Sequence, residues 1–175
     1  MAAPIPPWLK ALYAAPNALY DHGLGWVLGH RFLRLEHVGR RSGRRFTAVL
    51  EALQYDPATG EAVVMAGYGH AADWLRNVRA AGSARVEFAH GPRPASVRVL
   101  DLEEAVEVLA GYERRHPVLR PVLRPYLTSL AGWRYDGSPD ARRRLVSQLP
   151  MVAFAPVRPG ADPTREAGVT REARE

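Results

Sequence analysis

The chain reads as an α+β domain: a small, mostly antiparallel β-barrel with helices packed around it. Three observations predict that class. Apolar residues recur with period two through much of the first hundred residues, so strands outnumber helices there. The strand-like runs are separated by turn residues, as in a meander. The order of elements, strands joined by turns, then a short helix, a hairpin, further helices and a final strand, suits a small barrel with helices packed around it. At 175 residues and 47% apolar, the chain has the length for one domain with a real core and not for two large ones.

Residues 1–30 form a leader. Trp8, Leu9, Leu12, Tyr13, Leu19, Tyr20, Trp26 and Leu28, broken by Pro16, Gly23 and Gly25, predict two short amphipathic helical pieces. Such a leader either covers an open barrel end or lies on a membrane surface. From Arg31 the period is two: Leu33, Leu35 and His37 share one face, and Arg34, Glu36 and Val38 the other. A second strand runs from Phe46 to Tyr55, turns at Asp56–Gly60, and returns as Glu61–Ala66. Gly67-Tyr68-Gly69-His70 breaks the pattern, and Ala72–Ala80 reads as a short helix with Gly82 just past its end. Arg85–Ala89 and Ala95–Leu100 predict a hairpin around His90–Pro94.

Asp101, with Glu104 three residues on, is a capping-box pattern that opens a helix carrying Leu102, Val106 and Leu109 and ending near His116-Pro117. Pro121 and Pro125 predict short helical turns rather than one rod between Val118 and Trp133. Ser138 caps a further helix with Pro139 at its first position, and Leu145, Val146 and Leu149 point inward. Met151–Val157 is a last strand. The domain thus spans 31–157, and residues 158–175, with almost nothing apolar to bury, read as a disordered tail.

Between the first two strands stands Gly39-Arg40-Arg41-Ser42-Gly43-Arg44-Arg45, four arginines around a Ser-Gly turn. Arginine forks match phosphate and carboxylate oxygens two at a time, and a Ser42 hydroxyl with turn amides at Ser42 and Gly43 would line a small concavity with donors. The plainer alternative is an exposed basic hairpin turn.

Composition narrows the chemistry. Lys and Arg number 24 against 18 Asp and Glu, a formal charge of +6, so the surface attracts polyanions: nucleic acid, a membrane face or a multiply charged small ligand. No specific nucleic-acid-reading motif is present. The absence of cysteine excludes disulfides, thiolate metal sites and a cysteine nucleophile and fits a reducing cytosol. The six histidines show no zinc-enzyme spacing, so no metal is expected. No secretory signal or bilayer-length apolar run appears, and a cytoplasmic protein, membrane-associated if the leader binds lipid, is expected. Neither a G-x-G-x-x-G turn nor a P-loop occurs, which removes the usual nucleotide readings.

The segments G-R-R-S-G-R-R, V-V-M-A-G-Y-G-H and A-D-W-L-R-N-V-R-A-A-G, in this order and spacing, resemble the deazaflavin-dependent nitroreductase family, and the likeness runs from about Leu33 to Leu100. The resemblance implies a split β-barrel of the FMN-binding, pyridoxamine-phosphate-oxidase type, coenzyme F420 as cofactor with FMN as the alternative, and hydride transfer to a quinone, a nitroaromatic or a similar flat acceptor. A non-catalytic protein that binds or carries F420 or FMN is the alternative; monomer and homodimer both stay open.

By the same resemblance, Arg41, Ser42 and Gly43 would grip the cofactor phosphate, Arg44 and Arg45 its tail carboxylates, and Ala66, Gly67, Tyr68 and Gly69 would lie beside the deazaflavin ring. Trp74 would wall the cofactor, and Asn77 would pin the helix or bond nearby. Tyr68, His70 and Tyr112 are the candidate proton donors, with Tyr126 and Tyr135 behind them. Two departures stand out: Phe46-Thr47-Ala48-Val49 stands where many relatives have an arginine or a proline-bearing T-P run, and Leu75 where they have a tyrosine after the tryptophan.

Overall fold

A computed structural model describes residues 30–88 and 91–157. The calls on the leader, on the C-terminal tail and on His90 lie outside the described residues. Six strands, β1 (Phe32–Val38), β2 (Arg45–Tyr55), β3 (Ala62–Met65), β4 (Ser83–Phe88), β5 (Gly91–Val99) and β6 (Met151–Pro156), close into an antiparallel barrel in the order β1-β2-β3-β6-β5-β4. Four α-helices, α1 (Asp73–Ala81), α2 (Leu102–Arg115), α3 (Arg120–Ala131) and α4 (Pro139–Gln148), and two short 3-10 turns, Gly69–Ala71 and Pro117–Leu119, complete the described chain.

The alternation seen in the sequence sets which face each strand buries. Leu33, Leu35 and His37 of β1 point inward beside Val64, Val152 and Phe154. The other faces of β3 and β6 carry Val63, Met151 and Ala153 into a second core beneath α2 and α4. Connecting β3 to β4 takes the chain across one barrel mouth, and α1 makes that crossing. Its Leu75 and Val78, both fully buried, plug the barrel interior. At about 25 cal/mol per Å² of apolar surface, burying two such side chains contributes about 3–6 kcal/mol. The same mouth receives the β1–β2 loop, because Val38 pairs with Arg45 there.

The caps form as the sequence predicts: Asp101 accepts from Glu104 N at 2.8 Å and Ser138 Oγ accepts from Ala141 N at 3.2 Å. Two expectations need correction. The segment Pro92-Arg93-Pro94 is strand rather than turn, in register with Glu87, Val86 and Arg85. Proline is tolerated because β5 pairs with β6 only from Ala95 onward. The Pro94 carbonyl accepts from Val157 N at 3.0 Å, on the side where its missing N–H would have pointed. Residues 120–131 form one helix rather than separate turns. Pro121 occupies its first turn, where no intrahelical donor is needed, and Pro125 costs a single ladder bond that Leu127 and Leu130, packed on the outer core, offset.

Candidate functional site at the plugged barrel mouth

The arginine loop is a tight, internally bonded turn. Gly39 N donates to Arg44 O and Gly43 N to Gly39 O, both at 2.8 Å, with Gly43 at φ 65°. Ser42 Oγ accepts from Arg44 N at 3.3 Å. Gly39 is required by close approach: a Cβ there would fall 2.7 Å from Ser42 Oγ and 2.8 Å from the Phe46 ring. Gly43 therefore supplies the turn rather than an open donor, since its amide is already used. The amides of Arg41 and Ser42 donate to no other group among the described residues.

The loop is fastened to α1. Asn77, buried at 5% exposure, accepts at Oδ1 from Arg40 N at 3.1 Å and from Arg40 Nη1 at 3.0 Å, and its Nδ2 faces His37 Nδ1 at 3.1 Å. Arg40 Nη1 also reaches Asp73 Oδ1 at 3.3 Å. Asn77 is thus the peg of the loop; its side chain is spent on protein partners. Arg40 is held by Asn77 and Asp73, whereas Arg41, Arg44 and Arg45 are exposed and carry no ion pair among the described residues. Three guanidinium groups and two open amides at one turn make a donor set suited to phosphate and carboxylate oxygens.

The glycine turn leads into the same helix. Ala66 N donates to Pro150 O at 2.9 Å and Gly69 N to Ala66 O at 2.8 Å, while the amides of Gly67 and Tyr68 bond to nothing described. Gly69 has φ 61°, and a Cβ on it would lie 2.7 Å from the Gln148 carbonyl oxygen. No other residue fits there without moving backbone. Tyr68 stands 80% exposed with no partner among the described residues, and His70 Nε2 lies 3.4 Å from Ser147 O, its own carbonyl held by Arg76 Nε at 3.1 Å. Trp74 is half-buried, its ring centroid 6.4 Å from that of Phe154, so one face packs on the core and the rest borders the mouth. Leu75, at the position of a tyrosine in the family it resembles, is inside the barrel and supplies no polar group to this mouth.

Tyr112 is not part of this cluster. It donates to Glu51 Oε1 at 2.7 Å, an oxygen that also lies 3.4 Å from Arg31 Nη2. Glu51 pairs with Phe32, at the opposite end of β1 from the arginine loop, roughly 20 Å away at about 3.3 Å per strand residue. A cavity of about 310 Å³ lies there, lined by Arg31, Gln54, Tyr55, Tyr112, Arg115 and His116 among others. Burial first, and then the Glu51 charge, hold the Tyr112 phenol well above its usual range. Tyr135 is likewise committed: its hydroxyl donates to Glu113 Oε1 at 2.8 Å in a buried cluster with Arg142. Tyr126 packs on the outer core.

The structure therefore brings Arg41, Ser42, Gly43, Arg44, Arg45, Ala66, Gly67, Tyr68, Gly69, His70, Trp74 and Asn77 to one barrel mouth and leaves Tyr112 at the other. Sequence reasoning counted Arg40 among the loop arginines without its tie to Asn77, and did not place His37 at the site. A histidine at an inward strand position immediately before the loop was the available signal. Among the described residues no helix is long and apolar enough to cross a membrane, and no three potential metal ligands converge.

No family model matches the chain, and no curated protein matches it. Solved structures do. The chain is similar to an F420-H2 dependent reductase, FDR-A, at 17% identity over 71% of this chain and 93% of that one, TM-score 0.46. It is similar to a Clostridium acetobutylicum protein of the pyridoxinephosphate oxidase family at 9% identity over 79% and 84%, TM-score 0.46. A pyridoxamine 5'-phosphate oxidase-related, FMN binding protein from Nostoc punctiforme is similar at 17% identity over 87% and 82%, TM-score 0.42.

Proposed function

We propose that this chain is an oxidoreductase that holds coenzyme F420 at the plugged barrel mouth and delivers its hydride to a flat, apolar acceptor such as a quinone or nitroaromatic. The observation that carries this reading is the donor set of the β1–β2 loop: Arg41, Arg44 and Arg45, without ion pairs among the described residues, beside the open Arg41 and Ser42 amides. That set fits a ligand bearing both a phosphate and carboxylates. It shares α1 with a glycine turn whose two open amides, at Gly67 and Tyr68, suit the polar edge of a ring. Of the three segments that resemble the deazaflavin-dependent family, two fall on these turns and the third is α1 itself.

When bound, the cofactor supplies the hydride and the reactive carbon, so the protein's part is placement. The arginines and loop amides bind the anionic groups. Trp74, anchored against Phe154, provides a fixed apolar wall, and the plug of Leu75 and Val78 closes the barrel to water behind it. Tyr68 and His70 are the groups at this mouth able to give a proton to the reduced acceptor.

Binding without turnover is the second reading, and one observation favours it. Leu75 offers no polar group, and Tyr112 and Tyr135 are tied to carboxylates. Titration of the purified protein with F420 and FMN, followed by oxidation of the reduced form across a quinone and nitroaromatic panel, separates the readings. Micromolar or tighter F420 binding with turnover supports the reductase, and binding without turnover supports the carrier. Preferential FMN binding, or binding of neither, removes the deazaflavin assignment.

A further inference from the structure

One polar group beneath the loop has no part in the reading above. His37 is 8% exposed on the inward face of β1, two residues before the loop begins. Its Nδ1 meets Asn77 Nδ2 at 3.1 Å. The direction of that bond is fixed by the other end of the amide. Asn77 Oδ1 receives two donors from Arg40, its backbone N–H and Nη1, and neither can accept. The amide nitrogen must therefore face His37, so His37 Nδ1 must be the acceptor and the ring must be neutral with its proton on Nε2.

We propose that His37 is a positioning residue for the arginine loop: its neutral ring receives Asn77 Nδ2–H and thereby fixes Arg40, and its protonation releases the loop and weakens the anion site. The consequence for F420 rests on the function proposed above. A protonated ring would present N–H against N–H at Asn77. Flipping the amide to satisfy His37 would turn the amide nitrogen onto two Arg40 donors, so either arrangement breaks the peg.

The surroundings contain little to relieve this. From β2, Phe46 stacks on the ring at 5.8 Å between centroids. From β4, Ala84, two residues before Val86, brings no charge. Of the charged residues on α1, Asp73 favours the cation, but it is exposed and already paired with Arg40, Arg76 is bound to the His70 carbonyl, and Arg79 is exposed. Arg40 itself, one amide away, repels it. Burial accordingly holds the imidazole below its ordinary value, against the smaller pull of Asp73.

The sign of the effect distinguishes this device from plain electrostatics. A positive charge gained beneath an anion site tightens anion binding; loss of the peg loosens it. Wild type, His37→Asn and His37→Leu provide the test. Asparagine places an oxygen near the position of Nδ1 and cannot take up a proton. In ligand-free protein, the Arg40 backbone amide resonance is expected to shift with pH at the same midpoint as the His37 ring in wild type, and to stay fixed in His37→Asn. Between about pH 7.5 and about pH 5, wild-type F420 affinity is expected to fall roughly tenfold relative to His37→Asn, the scale of one lost neutral hydrogen bond. His37→Leu should bind weakly throughout.

An Arg40 amide that ignores the His37 titration overturns the inference whatever F420 does. So does wild-type affinity that rises on acidification relative to His37→Asn. An Arg40 amide that follows His37 in a protein that binds no F420 supports the relay and overturns the proposed function instead. Should His37→Leu fail to fold, the comparison of wild type with His37→Asn still decides.

Discussion

Replacing Arg41 with alanine separates binding from folding more cleanly than any other change at the mouth. Its side chain is exposed and makes no hydrogen bond or ion pair among the described residues. Its removal should leave unfolding free energy within about 0.5 kcal/mol of wild type, the range for surface changes that break no specific contact. In a complex with an anion, the same guanidinium makes charge-assisted hydrogen bonds worth about 1.5–3 kcal/mol, so F420 affinity should fall roughly 10- to 150-fold. Because the site is open to solvent, the loss should shrink as ionic strength rises and the screening length drops below about 10 Å. Arg93→Ala is the control. It removes an equal charge from an exposed stretch of β5 near the opposite barrel end and should change affinity by about twofold or less. Fluorescence titration of the three proteins at low and moderate salt, with urea unfolding in parallel, gives all the quantities. If Arg41→Ala and Arg93→Ala weaken binding equally, the loop acts only through net charge and the anion-site argument fails.

Further expected outcomes concern the scaffold. Gly69→Ala should destabilise the protein by about 3 kcal/mol, from positive φ and from a methyl set against a backbone carbonyl that cannot yield; an unchanged thermal midpoint would show that the turn rearranges freely. Glu113→Gln should cost about 3 kcal/mol, because the carboxylate is 4% exposed and takes hydrogen bonds from both Tyr135 and Arg142, and losing its charge strands the guanidinium. F420 affinity in that variant should be wild-type, and a large loss of binding would mean that the outer helices shape the mouth. Stability should also depend on pH through His37. Burial lowers its folded-state value below the unfolded 6.5, so the unfolded chain takes the proton first. This contribution is complete above pH 6.5 and is lost as pH falls through the folded value. His37→Asn should flatten that part of the curve, and an identical curve would remove His37 from the linkage.

Much of the barrel was legible because its information is local. Alternation along β1 named the inward residues, Asp101 and Ser138 marked helix starts, and Gly82 marked a helix end. Where tertiary context decided, local reading went astray. Pro92 and Pro94 look like turn residues until β6 is seen to pair only beyond them. Pro125 looks like a helix break until the outer core is seen to hold α3 together. The site divides in the same way. The arginine loop and the glycine turn announce themselves by composition, yet the peg joining the loop to α1 spans residues 37, 40 and 77, a set that no window along the sequence contains. Tyr112 was drawn into the site by residue type alone, and only the register of β1 against β2 shows that it belongs to the other end.

The plugging helix explains how one small element can serve folding and function together. Residues on the inner face of α1, Leu75 and Val78, complete the barrel core. One turn apart on another face, Asp73 and Asn77 hold the arginine loop. Trp74 lies between the two roles, half in the core and half at the mouth. A change at Leu75 or Val78 must therefore lower stability and binding together, since the helix that holds the loop is seated by those side chains. A change at Arg41, Arg44 or Arg45 can lower binding alone. Asn77 falls between them: its loss leaves the plug in place but frees the loop, so affinity should drop by more than the modest loss of stability accounts for. That ordering is fixed by where α1 buries each face, and it holds for whichever anion the loop receives.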